Sequence, residues 1–503
     1  MNPEPISNPI VISENAISTA SERQSSSWDI RNAPRNYMSL VLFQAASAAF
    51  SFGAVWLITR HLGSEGYGGI VAVIAASQVA QVLVNWTSIA VVRFGVDEFI
   101  ETEKIARTFW IRLIILLINF ALVFSLSAFW FPPLAGWLKL PPETFWLVLL
   151  HFAATALWIH VQYSLQGAKK PRVLGFFVML EKLFVLVGLG LLLAAGRFDG
   201  MTVIMCYIAA PASMILAGAV KLHRYVFTRF AIDRAFVKKI LAYSVPLLPF
   251  SLVGYFSGSY VDAVFVSKFL STHDLGIYSV ATQISGITMQ LPTLANTLLL
   301  PLFITLQKES QSDKTFNYFR NILPSVTLFW GLGCGVLSLI FYFAIPVIFD
   351  SEFSEAIRPL WILLTASVTA IPLVIGYSPL SNAASKTHVA MFGAIVSAVV
   401  NITGNAVLIP KYGLLGCAWS TLIAYFAGTV TYAMLLRRAG IITFSWTPLA
   451  VLPSLVGTII LTIFSNPWWA IVCCAMVSLI VGYWSRESIN HLFPFLKSLR
   501  RAS

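Results

Sequence analysis

Charge is scarce in this chain. Asp, Glu, Lys and Arg supply 11% of its 503 residues, while hydrophobic residues reach 58%, with a mean hydropathy of +0.80. That balance excludes an ordinary soluble domain, which carries roughly a quarter charged residues. Long polar loops are missing as well. The longest outer connection, around Phe131–Glu143, carries a single acid, Glu143. A membrane glycosyltransferase or glycan polymerase needs acids, Arg or His outside the bilayer to bind and activate its substrate, so no enzyme active site is expected. A GxxxxGK[ST] phosphate loop is absent, which excludes direct use of ATP. The five cysteines (Cys206, Cys334, Cys417, Cys473, Cys474) fall in apolar segments without disulfide or metal spacing. They read as small buried hydrophobes, and no metal or organic cofactor is implied.

What fills the chain is a succession of about fourteen apolar segments, each near the ~20 residues that one helical crossing of a bilayer requires. The expected spans are 37–59, 67–92, 108–131, 144–166, 173–195, 200–220, 240–269 and 275–306, followed by 321–345, 358–381, 388–409, 413–436, 447–464 and 468–484. Only helices satisfy their own backbone groups inside hydrocarbon. The fold class is therefore an all-α polytopic membrane protein. Residues 1–36 are polar and Ser-rich, with no early apolar run, and read as a disordered cytoplasmic tail. Residues 485–503 read as a second cytoplasmic tail.

The basic residues set the orientation. With the N-terminus inside, the outer loops hold only Arg60, Lys139, Arg197, Lys268, Arg358 and Lys411 of the 33 Lys and Arg. Arg112 and Lys182 lie within helices, and the rest face the cytoplasm. This positive-inside bias places both termini in the cytoplasm. It also accounts for the net charge of +12. The charges form no single patch, so nucleic acid is not an expected partner.

The chain also repeats itself. At one constant spacing Ser51/Ser259, Leu62/Leu270, Gly68/Gly276, Ser77/Ser285 and Leu83/Leu291 coincide. A slightly longer spacing matches Ala168/Ala384, Gly188/Gly404, Gly200/Gly416 and Ala217/Ala433. The order equates helices 1–6 (37–220) with helices 7–12 (240–436) in the same orientation. The expected architecture is thus two pseudo-symmetric six-helix bundles joined by the basic linker 221–239, plus two additional helices at 447–484. Parallel repeats of this kind are a common plan for secondary transporters, with substrate between the halves.

Polar stripes mark the faces that meet protein or water. Helix 2 carries Gln78, Gln81, Asn85 and Ser88 at helical spacing, and helix 8 carries Gln283, Gln290, Thr293 and Asn296. Helix 1 carries Gln44, Ser47 and Ser51; helix 7 carries Ser251, Tyr255, Ser259 and Asp262. The plain reading is interhelical hydrogen bonding at about 0.6 kcal/mol per bond. The functional reading, which the pairing across the repeat favours, is a hydrated cleft. Gln44, Gln78, Gln81, Asn85, Tyr255, Gln283, Gln290 and Asn296 are its expected lining.

Charges inside helices are sharper signals. Lys182 sits about nine residues into helix 5, or about 13 Å deep, where a lone Lys costs at least ~2.5–3.5 kcal/mol. It is expected to face the cavity, with a structural ion pair as the plain alternative. Neighbouring Glu181 points about 100° away and is not an automatic partner. Arg112, near the cytoplasmic boundary, reads equally as a snorkelling side chain or a substrate contact. Asp262 and Glu181 are the candidates for ion coupling. His151 and His160 read as hydrogen-bonded within the bundle. Pro246 and Pro249 are expected to bend the start of helix 7.

Several stretches resemble a known family. Leu62-Gly63-Ser64-Glu65-Gly66-Tyr67-Gly68 is similar to the LGxxxYG turn of polysaccharide transporters. Ser244-Val245-Pro246-Leu247-Leu248-Pro249, Gly276-Ile277-Tyr278-Ser279-Val280-Ala281 and Asn401-Ile402-Thr403-Gly404-Asn405 through Gly416 extend the likeness over 37–484. The chain resembles Wzx-type oligosaccharide flippases of the multidrug/oligosaccharidyl-lipid/polysaccharide (MOP) superfamily. The resemblance implies a V-shaped two-bundle fold in the bacterial inner membrane. It implies an undecaprenyl-pyrophosphate-linked oligosaccharide as substrate, moved by alternating access of a central cationic cleft for surface polysaccharide synthesis. Membrane lipid is an implied partner, as are polysaccharide polymerase or export proteins. A multidrug/cation antiporter, a lipid II flippase and a non-transporting scaffold of a polysaccharide-synthesis complex stand as alternatives.

Overall fold

The computed structural model describes residues 14–228, 233–245, 259–308, 312–384, 386–442, 445–464 and 467–484, and nearly all their side chains from residue 38 onward. Among these residues every regular element is helical. The first half comprises α1 (Glu14–Asn85), α2 (Ser88–Thr102), α3 (Ala106–Ser125), α4 (Ser127–Leu138), α5 (Phe145–Gly167), α6 (Pro171–Ala194) and α7 (Gly200–Val226). The short α8 (Arg234–Ser244) leads into the second half. There follow α9 (Ser259–Phe269), α10 (Thr272–Lys308), α11 (Ser312–Asn317), α12 (Leu323–Ile348), α13 (Ile357–Pro372), α14 (Ser378–Ala383) and α15 (Thr387–Arg438). The chain closes with α16 (Thr447–Phe464) and α17 (Pro467–Trp484).

Nine helices among the described residues are long and apolar enough to cross a membrane, and two of them, of 48 and 51 residues in their apolar stretch, are each broken at a glycine. α1 folds back at Gly63 (φ 66°, ψ −171°) and α15 at Gly413 (φ 58°, ψ −137°). Both angles lie in a region open to glycine and costly for residues bearing a Cβ, which is why Leu62–Gly68 makes its turn there. α10 and α17 supply two further expected crossings. The seventh is bracketed by α8 and α9; its middle, with Pro246, Pro249 and Tyr255, lies outside the described residues.

The tail expected to be disordered is a point of difference. α1 already starts at Glu14, because extending an established helix avoids the nucleation cost of starting one. Elsewhere the helix ends follow ordinary chemistry. The Asp199 carboxylate accepts from the backbone N–H of Met201 at 2.9 Å and of Thr202 at 3.0 Å, and so caps α7.

The most extensive packing joins α1 to α10, the second crossing of one repeat unit to the corresponding helix of the other. Gly68 and Gly276, equated by the repeat, face each other there. A Cβ on Gly68 collides with the Thr272 carbonyl, and one on Gly276 with the Ser64 carbonyl. Two helix backbones therefore meet at a contact only glycine permits. Within the first half α1 packs on α5, α6 and α7; within the second, α9 and α13 pack on α15. α16 and α17 pair with each other and rest on α12 and α13.

Candidate substrate cavity and ion site

Between the two halves lies a cavity of about 450 Å³. α1 contributes Ser51, Tyr67 and Gln78; α5 and α6 contribute His151, Glu181 and Lys182; α7 contributes Tyr207. From the second half come Tyr260 of α9 and Tyr278 and Gln283 of α10. Hydroxyl and amide groups are set into a wall whose larger share is apolar, and they exchange hydrogen bonds with sugar hydroxyls in either direction.

Lys182 faces this cavity as expected, but it is not a free cation. Its Nζ donates to Glu181 Oε1 at 2.8 Å, and the Trp158 indole N–H donates to Glu181 Oε2 at 2.7 Å. Adjacent helical residues meet here because the long Lys side chain bends back toward a carboxylate that Trp158 holds in place. The cleft was expected to be cationic; at its wall the Lys182 charge is balanced.

The polar stripes divide between the two readings given above. Gln78 and Gln283 line the cavity. Gln81 instead donates to the Phe152 carbonyl at 2.8 Å, and Asn85 donates to Gln81 at 2.6 Å, fastening α1 to α5. Asn296 does not line the cavity. Gln44 Nε2 donates to Gln290 Oε1 at 2.8 Å, a direct clasp between the halves. His151 is hydrogen-bonded, its Nδ1 lying 2.6 Å from Ser77 Oγ. Two readings need correction. Arg112 neither snorkels nor lines the cavity, being 1% exposed inside the first half. His160 is buried with no hydrogen-bond partner for either ring nitrogen. Both follow from the packing of α3 on α5, which the linear pattern does not contain.

The opposite clasp sits where charge bias assigns the outside. Ser64, just past the Gly63 break, donates its backbone N–H to Glu352 Oε1 at 2.9 Å, and its hydroxyl is hydrogen-bonded to His273. Arg60 pairs with Asp350, and Lys139 donates to the Leu270 carbonyl. The Lys268 ammonium rests 3.9 Å from the centre of the Trp137 ring.

Asp262 is 3% exposed and turned away from the cavity toward α15. Its Oδ1 accepts from Asn401 at 3.2 Å and Asn405 at 2.8 Å; its Oδ2 accepts from Thr421 at 2.8 Å and Tyr278 at 3.2 Å. All four donors are neutral. Such a shell lets a buried carboxylate persist without a cationic side chain. Tyr278 belongs to both sites, since it also lines the cavity. Asn401 and Asn405 escaped notice as site residues, although their four-residue spacing puts them on one helix face. Tyr278, Thr421 and Glu352 carried no local signal.

Comparison with known proteins bears on this arrangement. Residues 34–307 match the model of a family described as polysaccharide biosynthesis protein. A probable low-salt glycan biosynthesis flippase, Agl15 of Haloferax volcanii, is 26% identical over 199 residues, 39% of this chain and 41% of that one. The matched region thus spans less than half of that relative's length. Among solved structures, the inward closed conformation of the lipid II flippase MurJ superposes with a TM-score of 0.65 at 17% identity, covering 89% of this chain and 100% of that one. An inward-facing multidrug resistance MATE transporter of the MOP superfamily gives 0.60 at 15% identity, covering 80% and 98%. These likenesses show a shared fold.

Proposed function

Since this chain belongs to the polysaccharide biosynthesis protein family, we propose that it is a flippase for lipid-linked oligosaccharide. The substrate in this reading is an oligosaccharide on undecaprenyl pyrophosphate, moved from the cytoplasmic to the outer leaflet of a bacterial inner membrane. The observation that carries the proposal is the cavity between the two repeat halves, lined by Gln78, Gln283 and the hydroxyls of Ser51, Tyr207, Tyr260 and Tyr278 among apolar side chains. A polyhydroxylated anionic head group cannot cross hydrocarbon without such a path, while its lipid tail can remain in the bilayer.

The residues suggest a division of labour. Gln78, Gln283 and the cavity tyrosines exchange hydrogen bonds with sugar. A pyrophosphate competes with Glu181 for Lys182, so binding would break an existing pair rather than neutralise a bare cation. The Gln44–Gln290 clasp and the Ser64–Glu352 clasp would open alternately. Asp262 is the proposed ion-coupling residue: a proton or monovalent cation there changes what Tyr278 donates to, and Tyr278 faces the substrate.

The test is the sidedness of lipid-linked oligosaccharide in cells with and without the protein, probed with an impermeant glycosidase. Trapping of completed glycan lipid on the cytoplasmic side supports the reading. Unchanged level and sidedness overturn it and direct attention to drug efflux or a scaffold role. The multidrug reading finds less support in the cavity, whose carboxylate, Glu181, is already held by Lys182 and Trp158.

A further inference from the structure

Arg112 is a feature of the first half that the transport reading leaves unexplained. Its guanidinium is 1% exposed, and Nη2 alone finds partners: Ser88 Oγ at 3.1 Å and, at a long 3.4 Å, the Val84 carbonyl. Nε and Nη1 are buried without a hydrogen bond. None of the ion pairs among the described residues involves Arg112. Arginine does not give up its proton in proteins, so a full positive charge is buried with no counter-charge. That is among the most unfavourable arrangements a protein interior can hold.

Other unpaired groups gather around it. The His160 ring, on α5, packs 4.6 Å from that of Phe109, one turn before Arg112 on α3. Both His160 nitrogens are unpartnered. Thr87, adjoining the Ser88 that Arg112 contacts, is fully buried with an unpartnered hydroxyl. Arg112 lies where α1 ends and α2 begins. The partial charges of those helix ends have opposite sign and offset each other, leaving the guanidinium charge standing.

We infer that Arg112, His160 and Thr87 form a binding site for one small monovalent inorganic anion, a halide, inside the first bundle. The Nη1 N–H groups are free on the outer fork of the guanidinium and the Nε N–H is free on its side, and Thr87 and His160 each have a further hydrogen to give. Water alone would satisfy hydrogen bonds but not the charge. A sugar pyrophosphate is too large for a site this enclosed, and these residues do not line the cavity. The anion is structural: it lets α2, α3 and α5 close around a fixed cation, and it stands independently of what the protein transports.

The experiment is equilibrium binding of radioactive chloride to the purified full chain in detergent, with choline as the only counter-cation. Saturable binding near one chloride per chain, displaced by bromide, is expected. Arg112→Gln should weaken it roughly tenfold to a hundredfold, the loss expected for a charge-assisted hydrogen-bond site. If R112Q does not fold, Thr87→Val removes one donor and should weaken binding several-fold. Lys182→Ala should bind chloride as the wild type does. Absence of saturable binding, or undiminished binding by both R112Q and T87V, overturns the site. Loss of binding in K182A moves the anion to the central cavity and equally overturns the assignment.

Discussion

The two halves of the molecule each bury a charge, and they treat it in opposite ways. In the second half Asp262 receives four hydrogen bonds from neutral donors on α10 and α15. In the first half Arg112 donates only through Nη2, with Nε and Nη1 left unpaired. A carboxylate is an acceptor that amides and hydroxyls can surround, whereas a guanidinium needs acceptors, and Arg112 reaches only Ser88 Oγ and the Val84 carbonyl, both through Nη2. One bundle surrounds its charge with four donors; the other leaves two of three guanidinium nitrogens unpaired.

The comparison can be broken most directly at Asp262. Asp262→Ala removes the acceptor that four donors share; Asn401, Asn405 and Thr421 each keep a second acceptor, while the buried Tyr278 hydroxyl loses its carboxylate, at about 1–3 kcal/mol for a buried group orphaned. We expect abolished export and a lowered unfolding temperature. Asp262→Asn separates the two effects: export lost with normal protein level marks ion coupling, and export retained marks a purely structural carboxylate. The next largest effect is expected at the seam. Gly68→Val drives a side chain into the Thr272 carbonyl and should destabilise by more than the ~1–3 kcal/mol usual for overpacking, read as loss of folded protein in a fluorescence size-exclusion assay.

Lys182→Ala should reduce export with protein level unchanged, and Lys182→Arg should restore much of it; the sidedness assay reads both. No effect of K182A would assign the Lys182–Glu181 pair to structure alone. The smallest effect is expected for Arg60→Ala. Its pair with Asp350 is about half exposed (48% and 47%), and such pairs contribute ~0–1 kcal/mol. Thermal unfolding should scarcely move, and a large shift would show that the outer clasp depends on this pair rather than on the buried Gly68–Gly276 contact.

Much of this could be read along the chain, and the failures have definite causes. The Gly63 turn, the likeness of Gly68 to Gly276 and the cavity position of Lys182 were legible because each rests on local geometry or burial cost. Glu181 was set aside as a partner for Lys182 on helical angle; side-chain length and Trp158 overrode that. Gln81 and Asn85 carry the same stripe as Gln78 yet serve packing, since a stripe says that a face is not lipid-exposed without saying whether water or another helix meets it. His160 and Arg112 were misjudged because satisfaction of a polar group depends on neighbours distant in sequence.

Taken alone, the sequence determined the class of solvent and the all-helical polytopic fold, and set the expectations for orientation and repeat. These follow from hydropathy, charge bias and spacing, which are properties of single segments. The tertiary structure alone decided which polar groups are paired. It set Asp262 among Asn401, Asn405 and Thr421, clasped Gln44 to Gln290, and left Arg112 Nε and Nη1 without an acceptor. Hydrogen bonds act over about 3 Å, and only the packing of whole helices brings such residues that close.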